Sequence, residues 1–404
     1  MKVLQINAVN KIASTGRNAS ELGEFLQKNG HSSIIAYSKG PSVVPENEYR
    51  IGSNADTKLH GLFSRIFGKQ GYYSKGATKK LLRYMNDYAP DVAVLNNLHG
   101  NYINLPMLLK YLAKKDIATV VVLHDCWFYT GKCCHYTSDG CYKWKDKCGN
   151  CPSLKKYNKS WFFDRTAKMQ RDKKELFGNI PRLAVVGVSD WITNEARQAP
   201  VFENAKVFER IYNWIDTDVF APCDTADLRE KMGLTDKKII LCVASGWSSE
   251  KGLDTILELS GKLNESERLM LVGNVDANVS FSKKVIRIPA TNSVDELAMY
   301  YSMADVFVQP SIEETFGKVS AEALACGTPI VCFDSTANPE LAGDGCGAVV
   351  PVGDSEKMLE EIRNIIKNGK QKYSQKCREF AVGNFSKDRN IEEYISLFNS
   401  LIKD

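Results

Sequence analysis

A chain of 404 residues exceeds what one ordinary hydrophobic core holds, so two or three domains are expected. Apolar residues at 44% and charged residues at 25% are globular proportions, which excludes disorder and fibrous repeats. A net charge of +5 does not by itself indicate a nucleic-acid partner, and no apolar run approaches the ~18–20 residues that span a bilayer.

The chain opens on an alternating apolar stretch, Val3–Asn7, that turns polar by Asn10. It is too short for a secretory apolar region and predicts a first buried strand in a cytoplasmic protein. Asn10–Arg17 then opens a helix; such a loop presents N–H groups, with Gly16 and Arg17, to a phosphate or an acceptor. It reads equally as a plain strand–helix turn with a Ser/Thr cap at Ser14 or Thr15. From Lys58 to Arg83 there are seven Lys/Arg and no acid, interleaved with Leu62, Phe63, Ile66, Phe67, Tyr72 and Tyr73. That composition suits peripheral contact of 58–83 with anionic lipid at the inner membrane, or a solvated loop and helix; Gly68, Gly71 and Gly76 interrupt any one long helix.

Further strands are predicted over Ser33–Ala36, Val92–Leu95, Thr119–Leu123, Leu183–Val188 and Val207–Ile211. After a polar, turn-rich linker around 214–236 a second set follows: Ile239–Val243, Leu269–Val272, Val285–Arg287, Val306–Val308 and Ile330–Cys332. Buried strands alternating with helices imply parallel sheets covered on both faces. The predicted architecture is α/β, two Rossmann-like domains facing across a cleft. The first spans 1–215 with a Cys-rich insert at 126–152, the second spans 216–386, and a helix over 387–404 packs back on the first. Ligands of such sheets bind at the carboxyl ends of the strands, so the loops there carry the chemistry.

The most informative loop runs from Gln309 through Pro-Ser-Ile-Glu-Glu-Thr-Phe-Gly-Lys to an Ala-rich helix, with Gly327 past its end. Backbone amides around Phe316, Gly317 and Lys318 sit at a helix N-terminus, a cradle for a diphosphate. Gly317 lets the backbone approach closely, Lys318 adds positive charge, and Glu322 lies one turn on, on the same face. Its carboxylate suits the vicinal hydroxyls of a ribose, while Glu314 reaches the sugar. Two acids flanking Phe-Gly in a strand–loop–helix unit favour this over a capped surface helix with incidental acids.

Pro-Ser-x-x-Glu-x-Phe-Gly-x-x-x-x-Glu-Ala-x-Ala-x-Gly-x-Pro, read from Pro310 to Pro329, resembles the signature of retaining family-4 glycosyltransferases with the GT-B fold. The resemblance runs through most of the chain: Ser189-Asp-Trp, Asn213-Trp-Ile-Asp216 with Trp214 where the family has Gly, and Ala304-Asp-Val-Phe307. It implies a nucleotide-sugar donor, no cofactor required for catalysis, and protein cations that neutralise the leaving diphosphate. The family's Arg position falls on Gly246 while Lys251 keeps its place, so the diphosphate charge rests on Lys251, with Lys318 or Arg17 as substitutes. His124 and His99 follow predicted strands and read as structural hydrogen-bonding groups or as functional ones. The resemblance places His124 beside the donor sugar and Asn101 and Tyr102, with His99 and Asp125, toward the acceptor. The reaction it implies is front-face transfer, with Glu314 orienting the sugar, and with His124 and Lys251 at the reacting centre.

Six of the twelve cysteines lie between Cys126 and Cys151. Cys133, Cys141, Cys148 and Cys151 have spacings x7, x6 and x2, and the final Cys-Gly-Asn-Cys-Pro resembles a zinc knuckle. A structural zinc or a set of buried thiols fits, with Cys134 and His135 as competing ligands. A branch of polysaccharide-building family members carries a similar insert, which suggests capsule or exopolysaccharide biosynthesis on a lipid-linked saccharide acceptor. Two alternatives are a sugar-nucleotide epimerase or hydrolase on the same fold and a zinc-knuckle nucleic-acid binder. The second leaves the Glu motif unexplained, so no nucleic-acid partner is expected.

Overall fold

The computed structural model describes residues 1–291, 293–343 and 345–403. The chain forms two compact units, Met1–Ile211 with Ile391–Asp404, and Tyr212–Asn390.

The first unit is built on seven strands: β1 (Lys2–Val9), β2 (Ser32–Lys39), β3 (Glu48–Arg50), β4 (Val92–Leu95), β5 (Ala118–Leu123), β6 (Leu183–Gly187) and β7 (Val207–Arg210). They lie in the order β3-β2-β1-β4-β5-β6-β7, all parallel. β4, β5 and β6 are buried at every residue, as Val/Leu/Ala runs covered on both faces must be. The order reverses direction between β1 and β4, so the loops leaving these neighbours part to opposite faces and open a crevice at their carboxyl ends.

The second unit holds β8 (Lys238–Gly246), β9 (Glu267–Asn274), β10 (Val285–Ile288), β11 (Val306–Gln309), β12 (Ile330–Phe333) and β13 (Gly347–Val350), in the parallel order β10-β9-β8-β11-β12-β13. Its core packs Ile240, Cys242, Leu271, Val308, Val331 and Phe333 against Ile256, Leu259, Met358 and Ile362 of the covering helices. Here the switch falls between β8 and β11. A single turn of bridge, Ile215 with Ser386, ties the start of the unit to its end.

Two strands, β3 and β13, went unforeseen. Both are short and lie at sheet edges, where Glu48-Tyr-Arg50 and Gly347-Ala-Val-Val350 need little apolar periodicity. The 58–83 segment divides into two helices, Asn54–Phe67 and Lys75–Tyr88, because Gly68 takes a left-handed φ of 67° and ends the first. The final helix runs over Lys387–Lys403, and Arg182 of the first unit donates to the carbonyl of Leu401 at 3.2 Å. Among the described residues no helix is long and apolar enough to cross a membrane.

Candidate functional site

In the second unit the switch-point loops are Trp247–Gly252 after β8 and Pro310–Gly317 after β11. They are bonded to each other. Ile312 N donates to Glu250 O at 3.0 Å and Ser311 Oγ to the same oxygen at 3.2 Å. Gly252, at φ 81°, lies so close to Pro310 that a Cβ would overlap the Pro310 carbonyl oxygen. This apposition brings Lys251 and Glu314 together: Nζ stands 2.5 Å from Oε1. Lys251 and Glu314 thus answer each other's charge here, although the sequence assigned one to a diphosphate and the other to a sugar.

Gly317 caps the helix Lys318–Ala325 at φ 91°, a left-handed conformation that favours glycine. Phe316 is buried against Tyr212 and Phe385, with ring centroids at 5.8 and 5.3 Å, which fixes the loop immediately before the helix. Glu322 is buried on that helix and accepts a hydrogen bond from Tyr301 Oη at 2.9 Å. Burial pushes the Tyr301 phenol far up, with the Glu322 charge adding to it, so Tyr301 stays a donor and holds one carboxylate oxygen in place. Tyr301, together with Thr336, whose Oγ1 accepts from Glu314 N at 3.0 Å, is a positioning residue that the motif alone did not reveal. Gly246 ends β8 opposite Asn274 and brings no charge to these loops.

In the first unit the helix Ala13–Lys28 starts at Ile12 with no side-chain cap, so neither Ser14 nor Thr15 caps it. Gly16 is buried one turn in, against Val9 and Lys11, and Arg17 is exposed. After β5, His124 Nε2 lies 2.9 Å from Asn96 Oδ1, across the ends of β5 and β4. His99 Nε2 lies 2.8 Å from Asp125 Oδ2, and Asp125 Oδ1 caps Trp127 N at 2.8 Å. Burial opposes charge on both partners, yet their mutual attraction outweighs it. His99 is raised above its ordinary value and Asp125 is held down at about 2. Cys134 completes a trio with this pair, its ligand atom within 4.8 Å of both. Tyr102 is placed differently from the acceptor-facing role read for it. It is 1% exposed and donates to Asn97 O at 2.8 Å, closing its own loop.

Asn101, at a left-handed φ of 59°, lines a cavity of about 340 Å³ with Arg65, Gln70, Lys159 and Trp161. Ser64 Oγ and Asn101 Oδ1, both on its wall, are buried without a protein hydrogen-bond partner. Sequence reading missed this cavity because the insert folds back onto the helix Asn54–Phe67, with Trp161 N donating to Arg65 O at 2.7 Å.

The family model for glycosyl transferases group 1 matches residues 224–383, which contain the Lys251–Glu314 pair, Phe316–Lys318 and Glu322. Residues 224–383 are a glycosyl transferases group 1 domain. Outside the group 1 domain, likeness extends over the rest of the chain. It is 24% identical, over 99% of this chain and 100% of the other, to a protein named as a colanic acid biosynthesis glycosyl transferase, WcaC, of Escherichia coli. To N-acetyl-alpha-D-glucosaminyl L-malate synthase of Bacillus anthracis it is 23% identical over 54% of this chain, spanning 60% of that enzyme. The fold is that of sucrose-phosphate synthase from Thermosynechococcus elongatus, with a TM-score of 0.72 at 17% identity over 100% of this chain and 99% of that one. HepE from Anabaena, in complex with UDP and glucose, gives 0.67 at 14% identity over 99% and 100%. The two parallel α/β units are therefore those of the GT-B fold.

Proposed function

We propose that the protein is a retaining glycosyltransferase of family 4 that moves a hexose from a nucleotide sugar to a lipid-linked saccharide in surface-polysaccharide biosynthesis. The observation that carries the donor half is the pairing of Lys251 with Glu314 at the switch point, beside the Gly317-capped helix that bears Glu322. In this reading Glu322, aligned by Tyr301, accepts from the ribose hydroxyls. The amides of Phe316, Gly317 and Lys318 face the diphosphate, and Lys251 turns to the leaving phosphate as charge develops on it. Glu314, already engaged by a cation, orients the sugar rather than attacking it, which suits front-face transfer with retention. No metal or organic cofactor takes part in the proposed transfer. The structure of HepE with UDP and glucose, and the name of WcaC, support donor class and pathway.

The donor half is tested with a panel of UDP-, GDP- and ADP-sugars in a thermal-shift assay. One member is expected to raise the melting temperature of the wild type by several degrees and that of Glu322→Ala by far less. Equal shifts for both proteins, or none for the wild type, would refute it.

For the acceptor half, His124, the His99–Asp125 pair and the Asn101 cavity are the groups proposed to meet the saccharide, with Arg65 and Lys159 suited to a phosphate linkage. Arg17 and Gly16 remain candidates for the phosphate side. Membrane contact is proposed through 58–83 joined by the insert: Leu59, Leu62 and Phe67 are exposed beside Trp161, Phe162 and Phe163, with Phe162 69% exposed. Aromatic and basic residues on one face suit an anionic bilayer. Flotation with vesicles of 30% anionic lipid (roughly a bacterial inner leaflet's charge) is expected to carry the wild type and to lose most of the Phe162→Ser, Phe163→Ser variant. Equal recovery of both would remove the segment from the interface.

A further inference from the structure

The insert between β5 and the helix Thr166–Gly178 contains only two short 3-10 turns, Cys126–Phe128 and Lys143–Lys145. A loop of this length with so little regular structure needs another source of order. Part of it is aromatic: Trp144 is buried between Tyr129 and Tyr136, with ring centroids at 4.9 and 5.2 Å. The rest converges on a cavity of about 20 Å³ whose wall includes Cys133, Cys141, Cys148 and Cys151. That volume is on the scale of a single water molecule or metal ion. Cys134 is not on this wall; it lies with His99 and Asp125. His135 is turned toward Tyr157.

We propose that Cys133, Cys141, Cys148 and Cys151 bind one structural zinc ion as an all-thiolate tetrahedral site. Three features point to it besides the shared cavity. First, the Cys148–Cys151 turn is shaped to aim two sulfurs one way. Gly149 has φ 147° and Asn150 φ 45°, and Lys143 Nζ holds the carbonyls of both at 3.2 and 3.0 Å. Second, Gly131 N donates to Cys148 Sγ at 3.3 Å, which fixes that sulfur on the cavity wall. Third, two lysines, Lys132 and Lys173, are each 2% exposed nearby. Lys132 Nζ donates to the carbonyls of Ser153, Leu154 and Lys156, and Lys173 Nζ to those of Trp127 and Thr130. These bonds fix the chain on both sides of the cavity.

Zinc fits better than other soft-ligand ions for a reason of size and geometry. A d¹⁰ ion accepts four thiolates at about 2.3 Å with no redox demand. Zn–S bonds of that length set neighbouring sulfurs about 3.8 Å apart. Among the described residues the trio of ligand atoms within 4.8 Å of one another is that of His99, Asp125 and Cys134. No three of the four sulfurs lie within 4.8 Å of one another, so closing the site takes side-chain rotation. The ion would pin the loop that follows His124 and Asp125, so its work is structural. The site stands apart from the reading of the group 1 domain.

The test is elemental analysis of the full chain, purified without metal-affinity resin. About one equivalent of zinc is expected in the wild type and in Cys134→Ser, and less than about a fifth in Cys148→Ser and Cys151→Ser. Exchange of the ion for cobalt in the wild type is expected to give thiolate-to-cobalt charge-transfer absorption, a readout that does not depend on a variant folding. Zinc below half an equivalent in the wild type overturns the proposal. So do iron with labile sulfide, a Cys133–Cys151 disulfide in unreduced peptides, or loss of zinc from Cys134→Ser equal to that from Cys148→Ser.

Discussion

Replacement of Lys251 by alanine is expected to weaken binding of a nucleoside diphosphate by about 100-fold, or ~2.7 kcal/mol, while leaving the affinity for the bare nucleoside within about twofold. The asymmetry follows from where the cation sits. Lys251 is on the loop after β8, at the crevice where the sheet of the group 1 domain reverses direction, and its Nζ lies 2.5 Å from Glu314. In the proposed reading its charge addresses phosphate, whereas Glu322, held by Tyr301, addresses the ribose. Gly246 brings no charge to that loop and Trp247–Gly252 contains no arginine, so no neighbouring arginine on it compensates for the loss. Calorimetry with the nucleoside, its diphosphate and the sugar nucleotide reads the difference directly. If the alanine variant binds the diphosphate as the wild type does, Lys251 is only the structural partner of Glu314.

The largest effect on folding is expected from Gly252→Ala. Gly252 sits at φ 81°, where a side chain costs about 1–2 kcal/mol in backbone strain. A Cβ would also overlap the backbone of Pro310, which cannot swing aside as a flexible side chain does. Relief requires the β8 and β11 loops to part, breaking the hydrogen bonds that Ile312 N and Ser311 Oγ give to Glu250 O. The sum is about 3 kcal/mol, a fall of roughly 6–12 °C in melting temperature for a unit of this size. Gly261→Ala supplies the control. It lies in the helix Leu253–Lys262 with nothing within 4 Å of its Cβ position, so the same exchange there is neutral or slightly stabilising. Melting curves of the two variants are compared; Gly252→Ala within about 2 °C of the wild type would show that the loops part at little cost.

Much of the fold was legible because parallel strands buried on both faces leave an unmistakable trace. Val92–Leu95 and the run ending at Leu123 are continuous apolar segments between helical patterns, and the sheets contain them. The helix Lys318–Ala325 was readable as an Ala-rich run between Gly317 and Gly327. Edge strands β3 and β13 left no such trace. Glu48-Tyr-Arg50 is held by pairing to β2 rather than by any apolar face of its own.

The division at the site follows the same line. The sequence by itself determined the chemistry on offer: two acids around Phe-Gly, a lysine before a glycine, four cysteines in nineteen residues. Local spacing suffices for that, because a strand–loop–helix unit sets its own geometry. Only the tertiary structure decided which groups meet. The strand order, which no local pattern encodes, puts the loops of β8 and β11 side by side and so joins Lys251 to Glu314 across 63 residues. It brings Tyr301 onto Glu322, sets His99 against Asp125, and buries Tyr102 within its own loop. It also separates Cys134 from the four cysteines that share one cavity. Contacts between residues far apart in the chain depend on which strands neighbour one another, and that is settled by packing the whole core at once.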